Sequence, residues 1–262
     1  MKHKTILKVF CFFLIGLTLL SCKSMPQADK QSPVDKYIRM AMTLAKQGDY
    51  IRAEQLYQKI LKTSPDNPAV WYHLASLQLK MALFRPAEKS FRRLLTYPSQ
   101  RPNAFDGLAM IKFIQGNPLA AAKLWRQCLS LSNRNINALN GLALTLVQVE
   151  NYELANSCLL ISYDINPKNT KTLNNLALSY ALLQDVRRAQ YYLQSSLSLK
   201  AQPRIRNNLQ LLQEYSKPYQ HKKLVYLLLK PFPAIKNEIT PEQKVELLKN
   251  NKSWCSISKA KL

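Results

Sequence analysis

Asparagine stands at positions 140, 174 and 208, each 34 residues after the last, and the same register places Ile38, Tyr72 and Asp106 upstream. An amide side chain both donates and accepts hydrogen bonds. A row of them at constant spacing could grip the backbone of an extended chain whatever its side chains. Four residues beyond each member run Met42, Ser76, Met110, Leu144 and Leu178, a second row of adaptable apolar groups. The chemistry on offer is hydrogen bonding and apolar contact. Bond-making chemistry finds no support: His3, His73 and His221 lie apart from any cysteine or carboxylate at metal-ligand spacing. Five glycines in the whole chain leave no phosphate-cradling loop and no nucleophile elbow. No enzyme, metal or cofactor is expected.

Helices must position these rows, and the chain spells them out. Alanine recurs at 53, 87, 121, 155 and 189, again at a spacing of 34. Four residues after each comes a large side chain: Tyr57, Phe91, Trp125, Leu159, Leu193. Sixteen before each stands Tyr37, Trp71, Phe105, Leu139 or Leu173, and a small residue (Ala41, Ala75, Ala109, Ala143, Ala177) follows on the same helical face. A small residue on one helix lets its partner approach closely, and the large one then packs between units. Gly48 and Gly116 mark the turn between paired helices, and Pro65 and Pro167 close a unit, because proline cannot continue a helix. The pattern resembles the tetratricopeptide-repeat family over 34–203, in units 34–67, 68–101, 102–135, 136–169 and 170–203. The resemblance implies an all-α solenoid of five helix–turn–helix repeats. Residues 204–215 read as a capping helix over the last open face.

The same resemblance gives the two rows a location. In such a stack the first helix of each repeat lines a concave surface that receives peptides. Tyr72, Asp106, Asn140, Asn174 and Asn208 would then form a peptide-binding groove with Met42, Met110, Leu144 and Leu178 beside them. On this expectation the groove face contributes little to packing between repeats. The same residues could instead tie neighbouring helices together, with the apolar row as core.

The chain opens with basic Lys2, Lys4 and Lys8, then an apolar run from Val9 to Leu20, then Ser21-Cys22. Twelve apolar residues are too few to span a bilayer comfortably. Leu19-Leu20-Ser21-Cys22 resembles a bacterial lipobox, which implies a signal peptide over 1–21 and acyl chains on Cys22. Lys23 after it resembles lipoproteins sorted to the outer membrane, lipid-anchored and facing the periplasm. Residues 22–33, with Pro26, Pro33, Ser24 and Ser32, read as a flexible tether.

Lysine and arginine number 38 against 15 acids, a net charge of +23. Ten lysines and three glutamates fall in 216–262, a basic tail read as partly disordered, with a short helix from Thr240-Pro241-Glu242 to Asn250. Leu224–Leu229 within it is an apolar run fenced by lysines, suited to docking or strand addition. An exported chain rarely meets nucleic acid, so anionic lipid, lipopolysaccharide phosphates or an acidic protein are the expected counter-charges. Cys128 and Cys158 read as small buried hydrophobes, with a bridge between them the minor alternative, and Cys255 as a thiol without a mate.

Asn140-Gly141-Leu142-Ala143, Asn174 through Leu182 and Pro203 through Leu209 are similar to the TadD family, the lipoproteins of tight-adherence (Flp/Tad) pilus assembly. That resemblance covers about 135–212 and implies a pilotin-like adaptor, without catalysis, that supports the pilus secretin. Two other roles stay open: an adaptor for cell-wall hydrolases, and a surface adhesion-type binding lipoprotein.

Overall fold

The computed structural model describes residues 33–214 and 240–256, and all the regular structure there is helical. Five pairs of helices follow one another, the first three being α1 (Pro33–Gln47) with α2 (Tyr50–Thr63), α3 (Pro68–Lys80) with α4 (Phe84–Leu94), and α5 (Arg101–Ile114) with α6 (Pro118–Leu131). Then come α7 (Ile136–Gln148) with α8 (Tyr152–Ile165) and α9 (Thr170–Leu182) with α10 (Val186–Leu199). Helices α11 (Pro203–Glu214) and α12 (Pro241–Ser256) complete the described chain.

Local signals at a constant register start and stop these helices. The turn inside each unit holds one residue in the left-handed region: Gly48, Ala82, Gly116, Glu150 and Gln184, with φ between 58° and 90°. The residue after it caps the second helix. Asp49, Asn117, Asn151 and Asp185 each accept a hydrogen bond from the backbone N–H three residues on. Leu83 has no side chain to do so, and α4 starts uncapped. Asn67, Asn135 and Asn169 cap the first helices of the second, fourth and fifth units in the same way.

Packing then stacks the units. The period-34 alanines are fully buried, as are Ala41, Ala75, Ala109, Ala143 and Ala177 to within 2 %. Each buried leucine between them contributes roughly 1.5–3 kcal/mol by leaving water. The large side chain of each second helix reaches into the following unit, and the residue it meets is sized to fit. The Tyr57 ring stacks on His73 at 5.9 Å, whereas the Phe91 and Trp125 rings lie where a side chain on Gly107 or Gly141 would have to be. First helices of successive units touch one another, while second helices stand further apart, so the first-helix row is the inside of the curve. A buried cluster running from Ala109 to Leu212 forms most of the core, and two smaller ones serve the first units. At the far end α11 buries Ile205 and Leu212 against α10, covering the last face.

Helix α12 revises the reading of the tail. It does not stop at Asn250 but continues to Ser256, and it lies across α6, α7 and α8 with Leu247 buried. Cys255 is not without a mate. It is disulfide-bonded to Cys158 of α8, Cα to Cα 4.7 Å, and Cys128 is the free buried thiol. The reason is visible on α8. Where the outer faces of the earlier second helices carry Lys59, Arg93 and Gln127, all exposed, α8 carries Ile161, which is buried. An apolar outer face on one unit alone needs a cover, and α12 supplies it. Lys244 of α12 also pairs with Glu150 at 3.8 Å.

The signal segment 1–21, Cys22, the tether up to residue 32 and the tail segment holding Leu224–Leu229 lie outside the described residues. No helix among the described residues is long and apolar enough to cross a membrane.

Candidate functional site

The inner row divides into residues that face the groove and residues that tie units together. Asn140 belongs to the second group. It is 7 % exposed, and its Nδ2 donates to the Ile136 carbonyl, Ser162 Oγ and Thr172 Oγ1 at 2.8–3.0 Å. Its Oδ1 accepts from Asn175 Nδ2 at 2.8 Å. The two N–H groups are shared among these three acceptors, so both donors and the carbonyl oxygen of the amide have partners inside the fourth and fifth units. Ser162 and Thr172 complete the network with a 2.9 Å bond of their own. Such a buried network is held by packing and is costly to leave half-made. Asn208 is buried as well and donates to Asn174 Oδ1 at 3.1 Å, so this pair locks α11 onto α9. The expectation that this row contributes little to packing is therefore corrected for Asn140 and Asn208, whose amides join neighbouring helices, while Asn174 stays half-exposed.

Asp106 is also engaged. Its carboxylate accepts from Trp125 Nε1 at 3.0 Å, which lets an indole sit at the centre of the core with its one donor satisfied. Burial pushes the Asp106 pKa up, opposed by the hydrogen bonds from Trp125 and Asn137 and by the charge of Lys171. Burial likewise pushes the Cys128 thiol up to about 12, with Asp106 adding to it, so that thiol is unreactive.

What remains open to the groove is the apolar row. Met42, Met110 and Leu144 are half-buried at equivalent positions, Ser76 stands among them, and Leu178 is buried where the fifth unit closes down. Tyr72 is half-buried, its ring edge-on to His73 at 5.7 Å. Between the first two units the face deepens into a cavity of about 260 Å³. Met42, Ser76 and Leu77 line it, the stacked Tyr57 and His73 line it too, and Lys46 and Lys80 also contribute. Burial lowers the His73 pKa, so the ring is neutral at neutral pH, and raises that of the Tyr57 hydroxyl to about 12. The Lys80 ammonium lies 4.7 Å from the centre of the Tyr50 ring.

The sequence reading passed over this cavity, although a signal for it exists. Lys46 and Lys80 are 34 residues apart and follow Met42 and Ser76 by one helical turn, which puts them on the same inner face. Among the described residues no three His, Cys, Asp or Glu side chains gather as a metal site would require. The face is shallow, apolar at its centre and positively charged at one end.

Comparison with known proteins agrees with this architecture. Residues 44–111 match the sequence model of the tetratricopeptide repeat. No curated protein matches the sequence. A thermophilic tetratricopeptide protein of Thermus thermophilus superposes with a TM-score of 0.61 at 18 % identity, over 69 % of this chain and 99 % of its own. PilW, described as a widely conserved type IV pilus biogenesis factor, gives 0.59 at 17 % identity over 82 % of this chain and 98 % of its own. The pilF protein of Pseudomonas aeruginosa gives 0.56 at 14 % identity, over 82 % and 97 %. At these identities the likeness is one of fold.

Proposed function

We propose that this tetratricopeptide-repeat protein is a non-catalytic adaptor, lipid-anchored to the outer membrane through Cys22, that serves Tad/Flp pilus assembly. Its inner face would hold a segment of the secretin or of another assembly component. The observation that carries the reading is the half-open row Met42, Met110 and Leu144 running into the cavity between the first two units. Unbranched and adaptable side chains in a shallow trough suit an extended segment rather than a small molecule. PilW, a pilus biogenesis factor, has this architecture over nearly its whole length. The residue-level likeness to TadD over 135–212 points the same way. A disulfide persists in oxidising compartments, which suits an exported chain. Two or three acyl chains on Cys22, at roughly 0.8 kcal/mol per buried methylene, would hold it there stably.

The test replaces Met110 and Leu144 together by glutamate in cells that make the pilus. The double variant should keep its helical circular dichroism and its outer-membrane fractionation, and lose the secretin from the eluate of detergent-solubilised membranes. Full recovery of the secretin would move binding off the inner face. A Cys22→Ser protein that still fractionated with the outer membrane would end the anchor reading.

A further inference from the structure

Much of the positive charge of the repeats lies on the outer side of the first three units, although α10 with Arg187 and Arg188 and the tail are basic as well. The second helices α2, α4 and α6 carry three, four and two basic residues against two acids, Glu54 and Glu88. The next outer helix, α8, carries two acids and no basic residue, and α12 covers it. The inner helix α7 has no charged residue at all. Sequence alone shows a basic chain; the fold shows that the positive charge has a face.

Much of this charge is uncommitted. Arg52, Arg92 and Arg93 pair with Asp49, Glu88 and Asp66. Lys59, Lys62, Arg85, Lys89 and Lys123 are exposed and make no ion pair or side-chain hydrogen bond among the described residues. They share one face: Lys59 and Lys62 are three apart on α2, Arg85 and Lys89 four apart on α4, and Lys123 is the repeat equivalent of Lys89 on α6. Five free cations on adjacent parallel ridges form a broad, gently curved positive surface, not a cleft. Two large apolar side chains stand on it uncovered, Ile51 at 66 % and Leu83 at 37 % exposure, at the turn edge of α2 and α4.

We propose that this outer face docks on an anionic lipid bilayer. A flat array of lysines with a few exposed aliphatic residues at one edge is what an interfacial surface needs. The cations meet headgroup phosphates, and Ile51 and Leu83 reach the acyl boundary. A nucleic acid strand would instead call for several aromatic platforms among the cations. Tyr97, with the Arg93 guanidinium 5.9 Å from its ring centre, stands beside the helix ends, while the ridges of Lys59, Lys62, Arg85, Lys89 and Lys123 are separated by Gln55, Arg93 and Thr96 rather than by rings. Docked this way, the protein lies with its outer side on the membrane and its inner groove open to the periplasmic side. The proposal goes beyond the groove reading and does not depend on it.

The experiment measures partitioning of the full chain onto vesicles of phosphatidylcholine alone and of phosphatidylcholine with 30 % phosphatidylglycerol, by co-sedimentation at low and high salt. Three proteins are compared: wild type, the outer-face variant K59E/K89E/K123E, and the inner-face variant K46E/K80E/K171E, which changes the net charge equally. Each lysine near such a surface changes binding about fivefold. The outer-face variant should therefore lose the preference for anionic vesicles by at least roughly tenfold, while the inner-face variant keeps most of it. The preference should also weaken as salt rises. An equal loss in both variants would reduce the effect to net charge and overturn the proposal, as would no loss in either. If the outer-face variant lost affinity for a single-stranded oligonucleotide but not for anionic vesicles, the face would be a polyanion site and the membrane assignment would fall. Because vesicle binding is read without any protein partner, failure here leaves the adaptor reading untouched.

Discussion

The turn residue of each repeat shows how single positions set the cost of the fold. Position 48 and its equivalents all adopt positive φ, yet only Gly48 and Gly116 are glycines. Ala82, Glu150 and Gln184 hold the same conformation with a β-carbon, at about 1 kcal/mol or more each. Ala82→Gly should therefore stabilise the protein by about 1 kcal/mol, and Gly48→Ala should destabilise it by a similar amount. Chemical denaturation would read both, and a fall in midpoint for Ala82→Gly would remove left-handed strain from that turn. The two glycines were legible as turns in the sequence; the other three were legible only by register, because their side chains give no sign of a positive φ. Asn140 shows the opposite limit. Its period was plain, but whether an amide faces solvent or a neighbour depends on Ser162, Thr172 and Asn175, which approach it only in the folded stack. Gly141, beside it, looked like part of a family signature. Its physical cause is the Trp125 ring of the preceding unit, which occupies the space of any side chain there.

At the scale of elements, α12 differs from the other helices because its place is not prescribed by the period. Repeat helices are located by their neighbours in sequence, and so their packing could be read from spacing alone. Helix α12 comes from outside the array and finds α8 through an apolar outer face that the other units lack. Comparing position 161 with 59, 93 and 127 would have revealed that face; nothing in the tail itself names Cys158 as the partner of Cys255. The bond closes a separation of 97 residues, and in a chain-entropy account that is on the order of 4–5 kcal/mol of stability. Cys255→Ser, or reduction of the wild type, should lower the unfolding free energy by a large part of that amount. Hydrogen exchange should show α12 and the outer side of α8 losing protection first, while α2 and α4 keep theirs. Tryptic peptides from unreduced protein should contain Cys158 and Cys255 linked. Peptides linking Cys128 to either would contradict the pairing.

The five repeats form a one-dimensional stack, crossed only by α12 among the described residues, and their stability is shared between neighbours rather than held at a centre. The core is nonetheless uneven along its length. From Ala109 onward a continuous buried cluster joins three units, α11 and α12, whereas the first unit shares only a small cluster with α3. The same substitution should then behave differently at its two ends. Ala121→Leu forces three extra carbon atoms between α5 and α6, into the same buried cluster as Ala109 and Ala143, and should cost roughly 1–3 kcal/mol. The strain has units on both sides to disturb, so the midpoint of the entire thermal transition should fall. Ala53→Leu crowds α1 against α2 by the same amount, but only one neighbour depends on that unit. It should fray the first pair, detected as lost exchange protection in α1 and α2, while the amides of α7 to α10 and α12 stay protected. The partition is a direct consequence of nearest-neighbour coupling. If Ala53→Leu instead lowered protection uniformly through α10, the array would be folding as one cooperative body. The opening at the first two units could then not move independently of the disulfide-held end, and the cavity beside Lys46 and Lys80 would have to accept a partner without local adjustment.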